Sequence, residues 1–213
     1  MEKIIDLKDL LKHAILDLYS AEEQIIKGLP QIIASVNDRQ LKEVLNSHVE
    51  ITKKQKERLD AVKGIFIDVS EQVNGNFFSN LFGGSDAVKC KGIEGLIREA
   101  QKLLKEEMTP EAIDAAIVGA VQKIKHYEIA AYGTARAYSS ELNMSEVTTQ
   151  LCETIEEEYE LDELLTALAL GQINVDAEYA GVNKNYRFAF SKNFHEKFPR
   201  ERVTSPLFKA WIF

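Results

Sequence analysis

The chain has 213 residues, 45% hydrophobic and 28% charged, with only 4 Pro and 11 Gly, which is length enough for one sizeable core and leaves room for long helices. A formal net charge of -8 argues against general nucleic-acid affinity. Cys90 and Cys152 are far apart and form no CxxC pair, so they offer neither a disulfide framework nor a thiolate metal site and are expected as small buried hydrophobes in a reducing cytosol; with no leader-like start and no run near the ~18 apolar residues of a membrane span, a soluble cytoplasmic protein is predicted.

The first helix is predicted from near Leu7 to about Ser35. Leu11, Ala14, Leu18, Glu22, Ile25 and Leu29 fall within roughly 80° on a wheel of 100° per residue. Gly28 and Pro30 predict a kink near its last turns. Glu22 lies on the apolar stripe, whereas Glu23 does not. Asn37 and Asp38 then provide a turn and an N-cap for a second helix, whose seam reads Leu41, Leu45, His48, Thr52, Gln55, Leu59 and Val62. The centre of that seam is polar. Between Asp68 and Asp86 the Gly, Asn and Ser content predicts a loop, one carrying Phe77, Phe78 and Phe82 for packing on the bundle or on a neighbouring chain.

A shorter helix, from about Ala87 to Lys105, buries Ile93, Leu96, Ile97, Ala100 and Leu104 and forms the crossover. Glu94 and Glu99 flank that face as salt-bridged edge residues. Thr109, Pro110 and Glu111 combine an N-cap, a proline at the first helical position and an acid in the first turn. The helix they announce runs to about Ser140, with Ile117, Ile124, Glu128, Ala131 and Ala135 in one narrow sector. After Asn143, with Ser145 as N-cap, a last long helix puts Leu151, Ile155, Glu158, Asp162, Leu165 and Ala169 on one stripe. Glu156, Glu157 and Glu160 face outward or sideways, as a solvated face would.

Two long helices, a crossover and two more long helices are the chain order of an all-α four-helix bundle with one long connection. The helical domain is expected over residues 1–177, followed by an arm over 178–213. Nine of the eighteen aromatic residues lie in the last 35 positions, with seven Lys or Arg against two Glu. The arm therefore carries +5, leaving -13 for the rest of the chain. So many aromatics fit docking, on the acidic bundle, on a second subunit or on a partner, better than a solvated tail.

An isolated ionised carboxylate on an apolar seam is costly and asks for a cation, a proton or a basic partner. Each long helix supplies a candidate: Glu22, His48, Glu128, and Glu158 with Asp162. Carboxylates and imidazole at bundle mid-depth suit hard divalent metals such as iron or manganese. The competing reading is a metal-free hydrogen-bond layer that fixes helix register. His126 lies opposite the Glu128 stripe and is expected at the surface or between helices. Tyr19, Tyr127 and Tyr132 are either supporting donors or packing groups. No phosphate loop or nucleophile elbow is present, and nothing places a triad.

Leu-Tyr-Ser-Ala-Glu-Glu-Gln at 18–24, His48 with Thr52, Gln55, Arg58 and Leu59, Cys90 with Glu94 to Ile97 and Glu99, His-Tyr-Glu-Ile-Ala-Ala-Tyr-Gly at 126–133, and Glu157 and Glu158 with Asp162 occur in an order that resembles the bacterial YciE/YciF stress-protein family of the ferritin-like superfamily. The resemblance covers about residues 6–172. It implies a five-helix ferritin-like domain, a homodimer, and a carboxylate-bridged di-metal site of iron or manganese to which Glu22, Glu128, Glu158 and Asp162 carry over, with His48 joining them from its place on the helix seam. A metal-dependent oxidoreductase of ferroxidase or catalase-like type, acting on peroxide or dioxygen, would follow. This sequence departs from the family pattern at Ile51 and Lys125, where the family commonly has Glu, and Lys125 is placed to neutralise an acid in place of a cation. The rival expectation is a non-catalytic dimeric helical stress protein with a vestigial site and a partner-docking tail; a third, weaker one is nucleic-acid protection through the basic arm.

Overall fold

Local signals at the helix ends account for where the chain turns. Asp6 is extended, and its carboxylate accepts from the backbone N–H of Asp9 at 2.9 Å, which opens α1 (Leu7–Ile33). Pro30 lies inside α1, which continues to Ile33. Asp38 caps α2 (Arg39–Glu71) by accepting from Leu41 N–H at 2.7 Å. The short α3 (Lys91–Leu103) follows, then α4 (Pro110–Glu141), opened by the Thr109 hydroxyl with proline in the first turn. The structure, a computed structural model, describes residues 4–71 and 89–181, with the side chains of 66–71 left out. The expected loop with Phe77, Phe78 and Phe82 lies outside the described residues, as does nearly all of the C-terminal arm.

The turn into α5 (Ser145–Leu168) differs from the expectation. Ser145 is the first helical residue and Met144 occupies the capping position without a side-chain bond. The junction is built instead from the end of α4. Asn143 adopts φ 55, its N–H bonds Ser140 O at 3.0 Å, and Met144 N–H bonds Ser139 O at 2.9 Å. That pair of bonds around one left-handed residue is a Schellman ending. Beyond Leu168 the helix widens into a π-helical turn, Ala169–Ile173, and closes with α6 (Asn174–Glu178).

Neighbouring helices run α1–α2, α2–α5, α5–α4 and α4–α1, with α3 across α1 and α4 and with α6 on α4. The apolar residues form two clusters. One, around Ile25, Leu29, Leu45, Ile93, Val121 and Leu165, fills the end covered by α3. The other, around Leu11, Ile15, Leu59, Tyr132, Leu151 and Ile155, fills the opposite end. Between them Glu22, His48, Thr52, Gln55, Lys125, Glu128 and Glu158 are buried. The bundle is thus two hydrophobic halves joined through one polar layer.

Candidate functional site

Each of the four long helices contributes to this layer at the depth where its apolar seam is interrupted. α1 gives Glu22, α2 gives His48 and Gln55, α4 gives Lys125, Glu128 and Tyr132, and α5 gives Glu158. On α4 the Lys125 and Glu128 side chains are three residues apart and meet one above the other. Their ammonium and carboxylate form an ion pair with both side chains fully buried.

Lys125 is the hub. Its Nζ lies 2.6 Å from Glu158 Oε2 and 2.7 Å from His48 Nε2, besides its contact with Glu128 Oε2. An ammonium carries three N–H groups, and here three acceptor atoms on three helices surround it. With Nε2 accepting, His48 is neutral and its proton sits on Nδ1. Burial and the adjacent ammonium push the imidazole down to about 2. Burial alone would lower Lys125, but the charges of Glu128, Glu158 and Glu22 outweigh it and hold the ammonium above its usual range.

The carboxyls outnumber that cation. Burial, reinforced by the charge of Glu158 and opposed by Lys125 and Tyr132, pushes Glu22 up to about 8. Glu128 is also raised, by burial first and by Glu158 second. Both shifts act in the direction of protonation and so reduce the excess of negative charge around the Lys125 ammonium. Gln55 donates to Glu158 Oε1 at 2.7 Å, and the Tyr132 hydroxyl donates to Glu22 Oε1 at 2.5 Å. Among the described residues Glu22 Oε2, Glu128 Oε1, Gln55 Oε1 and His48 Nδ1 are buried without a hydrogen-bond partner.

Of the five residues expected as metal ligands, four converge here: Glu22, His48, Glu128 and Glu158. Asp162 stands apart. One of its oxygens accepts from Gln122 at 3.2 Å, and the other lies 3.2 Å from His126, an exposed side chain at the helix interface. Ile51 is half-buried on α2. Iron or manganese chemistry of the expected kind needs several carboxylates turned toward one vacant point. Here that point is taken by an ammonium, and among the described residues no group of three His, Cys, Asp or Glu side chains is arranged to hold a metal ion. The residues present do not fit a carboxylate-bridged metal pair.

Two further polar groups differ from the sequence reading, Glu157, which was expected on a solvated face, and Asp114, which was not singled out. Glu157 is half-buried rather than solvated and accepts two bonds from the Arg58 guanidinium, at 2.7 and 2.5 Å, and one from Gln55 at 3.0 Å. It holds Gln55, which in turn holds Glu158. Asp114 is buried and accepts from the N–H groups of Asn37 and Asp38 at 2.7 and 2.9 Å, tying α4 to the α1–α2 turn. The wheel position of Asp114, beside Ile117 and Val118, was the available signal. Glu94 and Glu99 take the surface roles expected of them, Glu94 with Lys89, Lys91 and Arg98, and Glu99 with Lys123. Cys90 is buried beside the Tyr127 hydroxyl at 3.0 Å, and Tyr127 donates to Asp17 at 3.1 Å.

Residues 6–178 match a family described as a domain of unknown function, DUF892. Protein YciF of Escherichia coli strain K12 is 34% identical over 172 residues, which is 81% of this chain and 95% of that protein. The crystal structure of the E. coli stress protein YciF aligns with a TM-score of 0.68 at 32% identity, covering 80% of this chain and 99% of that one. YcfI from Rhodopseudomonas palustris, described as a candidate structural protein, aligns with a TM-score of 0.65 at 37% identity over 78% and 96% of the two chains.

Proposed function

From the premise that the chain belongs to the DUF892 family and is similar over most of its length to the stress protein YciF, we propose that it is a stress protein of structural rather than catalytic type, whose polar centre is closed by its own lysine in place of a metal. The description of the relative YcfI as a candidate structural protein is in keeping with this reading. One observation carries it. The Lys125 ammonium sits among Glu128, Glu158 and His48, supplying from within the chain the positive charge that the carboxylates require. No redox step follows from such a centre. Its physical work is to fix how α2, α4 and α5 pair, because only one register brings all three acceptors to the same ammonium. In the described residues no helix is long and apolar enough to cross a membrane.

Metal loading tests the proposal. After incubation with iron or manganese and gel filtration, the wild-type chain should retain less than about a tenth of an equivalent, since a bound ion would have to displace a buried ammonium. Retention near one or two equivalents, with a rise in Tm on loading, would overturn it in favour of a metal-dependent oxidoreductase.

A further inference from the structure

The outward face of α5 carries charge of one sign. Between Arg136 and Lys184 the chain contains no Lys or Arg but eleven Asp or Glu. Glu146, Glu153, Glu156, Glu160, Glu163 and Leu164 are all exposed and fall within roughly 100° of one helix wheel. Arg58 reaches Glu153 at 3.3 Å from the α2 side. Glu156, Glu160 and Glu163 have no ion-pair partner among the described residues. Like charges three and four residues apart repel along a helix, so this stripe calls for cations from elsewhere.

The chain itself holds the complementary set. Residues 184–213 contain seven Lys or Arg, two Glu and eight aromatic residues. We propose that the C-terminal arm docks in cis along the exposed face of α5, its Lys and Arg against Glu156, Glu160 and Glu163 and its aromatics against Leu164, which is 42% exposed. Charge complementarity fixes the face, and chain length permits the return. From Gly181 the 32 residues that follow reach about 100 Å when extended, whereas Leu168 back to Glu153 spans about 23 Å of helix. Tethering next to the end of the same helix gives the arm an effective concentration on the order of millimolar for its own face. The proposal is independent of whether the bundle centre binds metal.

Trp211 is the only tryptophan and reports on the arm directly. In the full-length chain at low salt its fluorescence should be shielded from acrylamide. The variant Glu156→Lys/Glu160→Lys/Glu163→Lys should keep wild-type helical circular dichroism and raise the undocked fraction about tenfold, the loss expected when three individually weak exposed ion pairs vanish together. High salt should do the same to the wild type. Adding Lys197→Glu/Arg200→Glu/Arg202→Glu to the face variant should restore shielding. All of this should be independent of protein concentration. Equal quenching of wild type and face variant, failure of the combined exchange to restore shielding, or shielding that grows with protein concentration would each overturn the proposal, the last by assigning the face to a second copy.

Discussion

Lys125 pairs with Glu128, Glu158 and His48, and its removal should be severe. With Lys125→Met, the carboxyls at the bundle centre lose the one buried cation among the described residues, so stability at neutral pH should fall by about 3 to 5 kcal/mol, as when one partner of a buried ion pair is deleted, measured by urea denaturation. Glu22 and His48 give a pH signature of their own. The Glu22 carboxyl is raised from 4.5 to about 8 on folding, so the folded state binds the extra proton; its contribution is complete below about pH 4.5 and is lost as pH rises through 8. His48 is lowered from 6.5 to about 2, and its contribution is complete above 6.5 and lost as pH falls. The two oppose each other between 4.5 and 6.5. Above 6.5 the Glu22 effect remains, joined by that of Glu128 in the same direction. At a maximum of about 1.4 kcal/mol per pH unit, Glu22 should account for about 2 kcal/mol of lost stability between pH 6.5 and 8. Glu22→Gln should flatten that part of the profile; an equally steep fall in the variant would show that Glu22 is not its source. That Glu22, His48, Glu128 and Glu158 converge was legible in the sequence, because each interrupts an apolar seam. Lys125 was also expected to neutralise an acid in place of a cation, and it does; which acceptors on other helices it would meet, Glu158 and His48, was not legible, because a long stem can reach in several directions.

At the scale of elements, the four long helices were legible because stripe, cap and proline agree at most ends. The exceptions have local causes. The α4–α5 turn was read as a serine N-cap, but the left-handed Asn143 with its two return bonds terminates α4 by itself and leaves Ser145 inside α5. Asparagine tolerates that φ better than residues with an apolar Cβ, and glycine tolerates it best. Asn143→Ala should therefore cost about 1 kcal/mol and Asn143→Gly should be neutral or slightly stabilising, checked by thermal melts of both variants. A loss on glycine substitution would mean that the asparagine side chain, not the backbone angle, matters there. The widened turn at Ala169–Ile173 has a different origin. Leu161, Leu165, Ala169 and Ile173 are all buried at spacings of four, and on a regular α-helix each such step drifts about 40° around the axis. A turn with more residues takes back that drift and keeps Ile173 in the core. Gly92 is required for another reason: a Cβ there would stand 2.4 Å from the Tyr127 ring, which fixes how closely α3 can lie on α4.

At the scale of the molecule, the described residues form two hydrophobic clusters with the layer around Lys125 between them, and this arrangement separates stability from specificity. Several of its acceptors are buried without partners, each at a cost of about 1 to 3 kcal/mol. A layer with that many open demands is a poor source of net stability, even though breaking it piecemeal is damaging. Replacing it as a unit should therefore have the opposite sign from replacing Lys125 alone. The combined variant His48→Leu/Lys125→Met/Glu128→Leu/Glu158→Met keeps side-chain volume close to the original and removes the ionic hub together with the imidazole that accepts from it, leaving Gln55 bonded to Glu157. It should match or exceed wild-type stability by up to about 4 kcal/mol, as buried ionic groups exchanged for apolar ones do elsewhere, while Lys125→Met alone falls well below. If register is what the layer provides, the combined variant should also broaden its amide resonances or populate more than one species on native gels, because a more apolar seam accepts several helix offsets. Should the combined variant instead prove less stable than Lys125→Met, the charged layer would be a net source of stability, and the view of it as a device for register would fail on that comparison.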